Sequence, residues 1–249
     1  MFKNGNCYAF KDNKLYEYIV DHSIGVAECI RNRWECKAIS RKLSKIVGTS
    51  EKLIEDLLIF AGAFHDIGKL DKIFQMECES DGCTNFPGHY ITSALILTGA
   101  YNMSLQNSVD KKYLENLIMG RIKERSNFKY LYFLLVVYPV ILHHYAQVYS
   151  ISSYGKFVQD FELYKKCTND LSLIVKWIIN NIVDERLKII ARNIMAPNVF
   201  EYIVHVHDIV LRLGYLKTLS FEKIVIEAAT GLLNLCDGIV AKKARRRQK

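Results

Sequence analysis

The segment Ala63-Phe64-His65-Asp66-Ile67-Gly68-Lys69-Leu70 sets an imidazole beside a carboxylate at the end of an apolar run. His and Asp together can hold a metal ion, an Asp can bridge two ions, and Lys69 supplies a cation for a phosphate. The dipeptide carries little weight alone, because His207-Asp208 repeats it. The chemistry depends on which other ligand-type side chains can join. His22, His89, His143, His144 and Asp237 also fall at expected helix ends or inside apolar segments. Each alone reads as an ordinary core or surface residue. The adjacent pair His143-His144, placed after Val140-Ile141-Leu142, is different. Burying two imidazoles without partners is expensive, so metal coordination or a hydrogen-bond network is the economical explanation.

Helical periodicity supplies the elements that must position these groups. Leu15, Ile19, His22, Val26, Cys29 and Ile30 keep i, i+3, i+4 spacing, which predicts a helix over 15–30 with His22 on or beside its buried face. The dozen residues before it read as an irregular or short extended lead-in. A second helix spans 39–47, Gly48 stops it, and Ser50 caps a third over 51–66. That third helix is apolar on nearly every side from Leu57 to Phe64, so it runs through the centre and delivers His65 and Asp66. Gly68 then lets the chain turn away. Residues 75–88 read as a polar loop, and His89 opens an apolar helix over 91–97. Residues 102–128 read as a surface helix with flanking loops. A buried helix from Tyr130 must kink or restart at Pro139, with His143 and His144 one turn beyond. Residues 150–170 read as exposed, 171–194 as one or two amphipathic helices, and further helices fall near 200–213 and 221–240. The last carries Asp237. The expected fold is all-α, one domain over 1–241 with a basic tail at 242–249.

Bulk properties exclude several classes. Half of the 249 residues are hydrophobic and a quarter charged, as in a globular protein. The best candidate for a membrane span, 131–142, is shorter than the ~20 residues a bilayer requires, so no membrane association is expected. The N-terminus lacks the apolar core of a signal peptide. Seven cysteines without framework-like spacing point to reduced thiols in a cytoplasmic setting. Of the net charge of +8, six charges sit in the last eight residues, which leaves only +2 for the rest. Lys242, Lys243, Arg245, Arg246 and Arg247 are either a frayed, solvated tail or an electrostatic handle for nucleic acid or an acidic partner.

The order His22, His65-Asp66, His89, His143-His144, Asp237 resembles that of HD-superfamily metal-dependent phosphohydrolases. The finer wording is more specific. Asp21-His22-Ser23-Ile24-Gly25-Val26-Ala27, His65-Asp66-Ile67-Gly68-Lys69 with Phe74-Gln75, Gly88-His89 with Ser93-Ala94, and Cys236-Asp237-Gly238 resemble the HD nuclease of type I CRISPR interference. The resemblance covers roughly 15–240. It implies one metal held by His22, His65, Asp66 and Asp237, and a second by Asp66, His89, His143 and His144, with Asp66 bridging. It also implies Asp66 and Lys69 as catalytic residues, Lys69 facing the scissile phosphate. Such a nitrogen-rich set suits Mn, Fe, Co, Ni or Zn better than Mg or Ca, although some family members work with Mg. The chain has no Gly-x-x-x-x-Gly-Lys-Ser/Thr loop, so it resembles the stand-alone nuclease, with unwinding supplied by a separate ATP-dependent helicase. The implied activity is hydrolysis of single-stranded DNA, with RNA as a second substrate, alongside a CRISPR surveillance complex. Two alternatives stay open: an HD phosphohydrolase acting on nucleotides or cyclic nucleotides, and a non-catalytic subunit of a nucleoprotein complex. Glu201, His205, His207 and Asp208 read as the polar face of an amphipathic helix, and Cys78 and Cys83 as free loop thiols. Ser93 reads either as orienting His89 or as facing a neighbouring helix.

Overall fold

The computed structural model describes residues 5–105, 109–144, 161–199 and 220–246. The architecture is helical, with one small hairpin. Strands β1 (Tyr8–Lys11) and β2 (Tyr16–Tyr18) pair antiparallel. Their tyrosines Tyr8, Tyr16 and Tyr18 pack ring against ring while Glu17 between them is buried. Leu15–Tyr18 therefore does not belong to the first helix as expected. The alternation Tyr16-Glu17-Tyr18 has a period of two, which suits a strand.

Helix α1 (Ile19–Asn32) follows directly, then α2 (Trp34–Val47), which Gly48 ends at φ 72°. Helix α3 (Glu51–Phe64) is capped by Ser50 Oγ, which accepts from the Leu53 N–H at 3.1 Å. Every residue from Leu57 to Phe64 is buried, as the continuous apolar run requires. A 3-10 turn (Ile67–Leu70) leads into α4 (Lys72–Ser80). The loop expected at 75–88 is thus helical in its first half, started by the Asp71 carboxylate accepting from the Ile73 N–H at 2.8 Å. Helix α5 (His89–Leu105) is buried from His89 through Asn102, and α6 (Lys111–Ile118) is the surface helix. Helix α7 (Phe128–Tyr132), a π turn (Phe133–Val137) and α8 (Tyr138–Leu142) form one buried rod. The wider π turn precedes Pro139, which then sits in the first turn of α8, where a missing N–H does least harm.

Helices α9 (Thr168–Asn181), α10 (Glu185–Asn193) and α11 (Phe221–Arg246) complete the core. The segment with Glu201, His205, His207 and Asp208 lies outside the described residues, as does Arg247. Lys242, Lys243, Arg245 and Arg246 continue α11, so the boundary expected at 241/242 falls inside a helix. By length and apolar composition α11 would suffice to cross a bilayer, contrary to the sequence reading. Here it buries Val225, Ile226, Ala229, Leu232, Leu233 and Cys236, and packs against α1 and α8.

The cysteines depart furthest from expectation. Six are paired, as Cys7–Cys167, Cys29–Cys236 and Cys78–Cys83, and Cys36 is a buried free thiol. Two of the pairs join residues 160 and 207 apart, a proximity only the tertiary fold creates. The turn after α4 brings the Cα atoms of Cys78 and Cys83 to 4.6 Å, so these are not free loop thiols.

Candidate metal centre

Helix α3 ends at Phe64, and the sharp turn after it aims His65 and Asp66 into a space ringed by α1, α5, α8 and α11. Asp66 sits at the middle. Its Oδ2 lies 3.2 Å from His22 Nε2 and 3.4 Å from His65 Nε2. Its Oδ1 lies 3.0 Å from His89 Nε2 and 3.6 Å from His143 Nε2. His22 Nε2 also reaches Asp237 Oδ1 at 3.2 Å and His65 Nε2 at 3.4 Å. Two ligand groups result, His22 with His65 and Asp237, and Asp66 with His89, His143 and His144. All seven residues singled out in the sequence thus come together from five separate segments.

The outer nitrogen of each ring fixes the direction of the inner one. His65 Nδ1 donates to the Gly62 carbonyl at 2.9 Å, His89 Nδ1 to the Phe86 carbonyl and His143 Nδ1 to the Val140 carbonyl, each at 2.5 Å. A ring that donates through Nδ1 presents a lone pair at Nε2. His89 Nε2, His143 Nε2 and Asp66 Oδ1 are buried without a hydrogen-bond partner, although they face one another. Lone pairs converging on a carboxylate oxygen repel unless a cation stands among them. The donor set, imidazole nitrogen and carboxylate oxygen, fits a divalent metal ion.

Electrostatics agree. Burial holds His65 down to about 4 and His144 down to about 3, so both rings are neutral and able to ligate near pH 7. Burial also lowers His89. His22 behaves oppositely. Burial opposes its charge, but hydrogen bonds with Asp237, Asp66 and Glu17 outweigh that and hold its pKa well above the ordinary value. Three carboxylates around one imidazole mark this corner as a place for positive charge. Asp66 and Asp237 are held well below the usual carboxylate range despite burial, chiefly by His65 and Lys69 for Asp66 and by His22 for Asp237.

Lys69 does not point freely outward. Its Nζ lies 2.7 Å from Asp66 Oδ2 and 5.1 Å from the centre of the Phe86 ring, at the edge of a cleft. Gly68 serves a purpose other than turning the chain. A Cβ there would lie 2.1 Å from the His89 carbonyl oxygen, so only glycine lets the His65-Asp66 turn approach α5 so closely. Ser93 ties the same two segments through the backbone. Its Oγ accepts from the Gly68 N–H and donates to the His89 carbonyl, both at 2.9 Å, and it does not touch the His89 ring nitrogens. Gln75 explains the Phe74-Gln75 signature. It donates to the carbonyls of Lys69 at 2.7 Å and Tyr8 at 2.9 Å, and accepts from the Tyr8 N–H, locking β1 to the turn.

Sequence reasoning missed Glu17. Its Oε1 accepts from His22 Nδ1 at 2.9 Å, completing a carboxylate–histidine pair behind the site. It went unseen because it was assigned to a helix face, whereas the strand period was the available signal. Phe10, Thr84, Asn85 and Phe86 were missed as well. They line a cleft of about 570 Å³ with Lys69, His22, His89, His144 and Asp237. The opposite wall is the end of α11, with Gly238, Lys242, Arg245 and Arg246. The Arg245 guanidinium lies over the Phe10 ring at 4.4 Å. Lys243 is exposed but does not line the cleft.

Within this helical fold five imidazoles and two carboxylates, His65 and Asp66 among them, meet in one cluster whose donor atoms could hold divalent metal ions. Residues 9–114, less than half of the chain, match the family model described as Cas3, HD domain, and that part of the chain is similar to this family. The matched part holds His22, His65, Asp66, Lys69 and His89. His143, His144 and Asp237 lie beyond it, and the fold joins them to the rest. No curated protein matches the chain.

Proposed function

We propose that the protein is a metal-dependent nuclease that hydrolyses phosphodiester bonds of single-stranded DNA, with RNA as a second substrate, in CRISPR interference beside a separate helicase. The observation that carries the metal-dependent part is the set of buried lone pairs, Asp66 Oδ1, His89 Nε2 and His143 Nε2, facing one another without a partner. His22, His65, Asp66 and Asp237 would hold one ion, and Asp66, His89, His143 and His144 the other. Bound divalent ions supply Lewis acidity at a phosphoryl oxygen and make water a competent nucleophile near neutral pH. The chain's own groups do the remainder. Glu17 and the carbonyls of Gly62, Phe86 and Val140 keep the imidazole lone pairs turned inward. Lys69 balances the charge of Asp66 and brings an ammonium to the cleft, where a phosphate oxygen can accept from it.

A polymer substrate is favoured over a mononucleotide by the shape of the charge. Lys242, Arg245 and Arg246 form a cationic wall along the cleft beside the cluster, suited to a run of phosphates. A nucleotide phosphohydrolase would have no use for a row of helix-borne cations beyond one phosphate chain. Hydrolysis of single-stranded DNA, dNTPs and cyclic dinucleotides should be compared in Mn, Ni, Co, Fe and Mg. Activity restricted to the mononucleotides or cyclic dinucleotides would overturn the reading, and full activity without a divalent ion would overturn the metal dependence.

A further inference from the structure

Helix α2 (Trp34–Val47) spends one face on the core, burying Cys36, Ser40, Leu43, Ser44 and Val47. Its other face carries Trp34, Lys37, Arg41, Lys42 and Lys45, all exposed. Trp34 is 70% exposed, an unusual fate for an indole with so much apolar surface to hide. An ordinary solvated helix face mixes charges of both signs. Here the helix has a single acid, Glu35, and Arg33 engages it through two nitrogens. Among the described residues Lys37, Lys42 and Lys45 make no ion pair, and Arg41 has only Glu51 at 3.9 Å, both exposed.

The spacing is regular. Lys37, Arg41 and Lys45 recur every four residues, about 6 Å apart along the axis, with Trp34 in line at the N-terminal end. A row of uncompensated cations that ends in an exposed aromatic ring matches the two demands of an unpaired polynucleotide. Its phosphates seek cations and its bases seek a flat apolar face. Helix α2 also packs on α11, whose far end lines the metal cleft.

We propose that the outer face of α2 is a second contact surface for single-stranded nucleic acid, with Trp34 as the base-stacking residue and Lys37, Arg41, Lys42 and Lys45 as phosphate contacts. The choice of nucleic acid as the polyanion rests on the nuclease reading, whereas the surface itself does not depend on the metal cluster.

The test uses the full chain and an oligo-dT. Trp34 and Trp177 are the two tryptophans, so a Trp177→Phe background isolates Trp34 emission. Binding should quench that emission. Trp34→Ala should weaken affinity about 5- to 100-fold. Replacing Lys37, Arg41, Lys42 and Lys45 by Gln should lower the slope of log affinity against log salt by about 3. Hydrolysis of a small diester such as bis(p-nitrophenyl) phosphate should stay unchanged in both variants. Loss of that hydrolysis in the wild type would instead refute the nuclease reading, so the two failures are distinguishable. Unquenched Trp34 at saturating oligo-dT would overturn the proposal, as would an unchanged salt slope in the Gln variant. Equal displacement of the oligonucleotide from Trp34 by poly-glutamate would also overturn it, by assigning the face to an acidic protein.

Discussion

Replacing Glu17 tests the architecture behind the metal centre. The Glu17 carboxylate is buried and accepts from His22 Nδ1 at 2.9 Å, so it fixes the ring's tautomer and adds negative charge behind a metal ligand. Glu17→Ala removes both effects and leaves a buried Nδ1–H without an acceptor. Loss of such an outer partner costs about 10- to 100-fold in metal affinity, or about 1.4 to 2.8 kcal/mol. Glu17→Gln keeps an acceptor oxygen and loses the charge, so its deficit should sit at or below the lower end of that range. The two ligand groups make the prediction sharper. His22 belongs with His65 and Asp237, whereas His89, His143 and His144 gather on the other oxygen of Asp66. Calorimetric titration of the metal-free protein with Mn should show two binding events in the wild type, and Glu17→Ala should weaken only one. Wild-type affinity at both events, or weakening confined to a site abolished by His89→Ala, would show that Glu17 does not support metal binding through His22. Far-ultraviolet circular dichroism of the variant guards against simple unfolding.

Other consequences follow from the same geometry. Gly68→Ala should destabilise the protein by about 1–3 kcal/mol in urea denaturation, because its Cβ would meet the His89 carbonyl; wild-type stability would show that the turn is free to shift. Replacing Lys242, Arg245 and Arg246 by Gln should lower the salt slope of oligonucleotide binding by about 2, and an unchanged slope would place the polymer elsewhere. Burial holds His65 down to about 4, whereas an unfolded histidine titrates at about 6.5. Its contribution to stability is therefore whole above pH 6.5 and lost as pH falls toward 4. In the metal-free protein, His65→Phe should flatten the fall in thermal midpoint across that window, and an identical fall in the variant would contradict the assignment.

The clustered residues were legible because they are chemically rare and sit beside apolar runs. His65-Asp66 closes the continuous apolar helix α3, and His143-His144 follows the buried rod that ends in α8. The supports were not legible. Gly62, Phe86 and Val140 act through their carbonyls, which every residue has, so no side-chain type announces them. Gly68 looked like a hinge but is a contact point, because the sequence does not show which backbone lies opposite. Glu17 was hidden by a period error over four residues, and Cys29–Cys236 by a separation of 207 residues. The basic C-terminal run was visible as charge. That it continues α11 and walls the cleft depends on Asp237 anchoring the same helix in the cluster.

In the proposed function one carboxylate, Asp66, gathers two divalent ions for phosphodiester hydrolysis. Cleavage of a circular single-stranded DNA by the wild type and by Asp66→Asn, with and without Mn, tests it most directly. Asparagine keeps the size of Asp66 but cannot supply a charged bridge between the two ligand groups. The wild type should cut in a Mn-dependent way and the variant should not, while remaining folded. Cutting by Asp66→Asn at the wild-type rate, or cutting by either protein in the presence of a strong chelator, would contradict it.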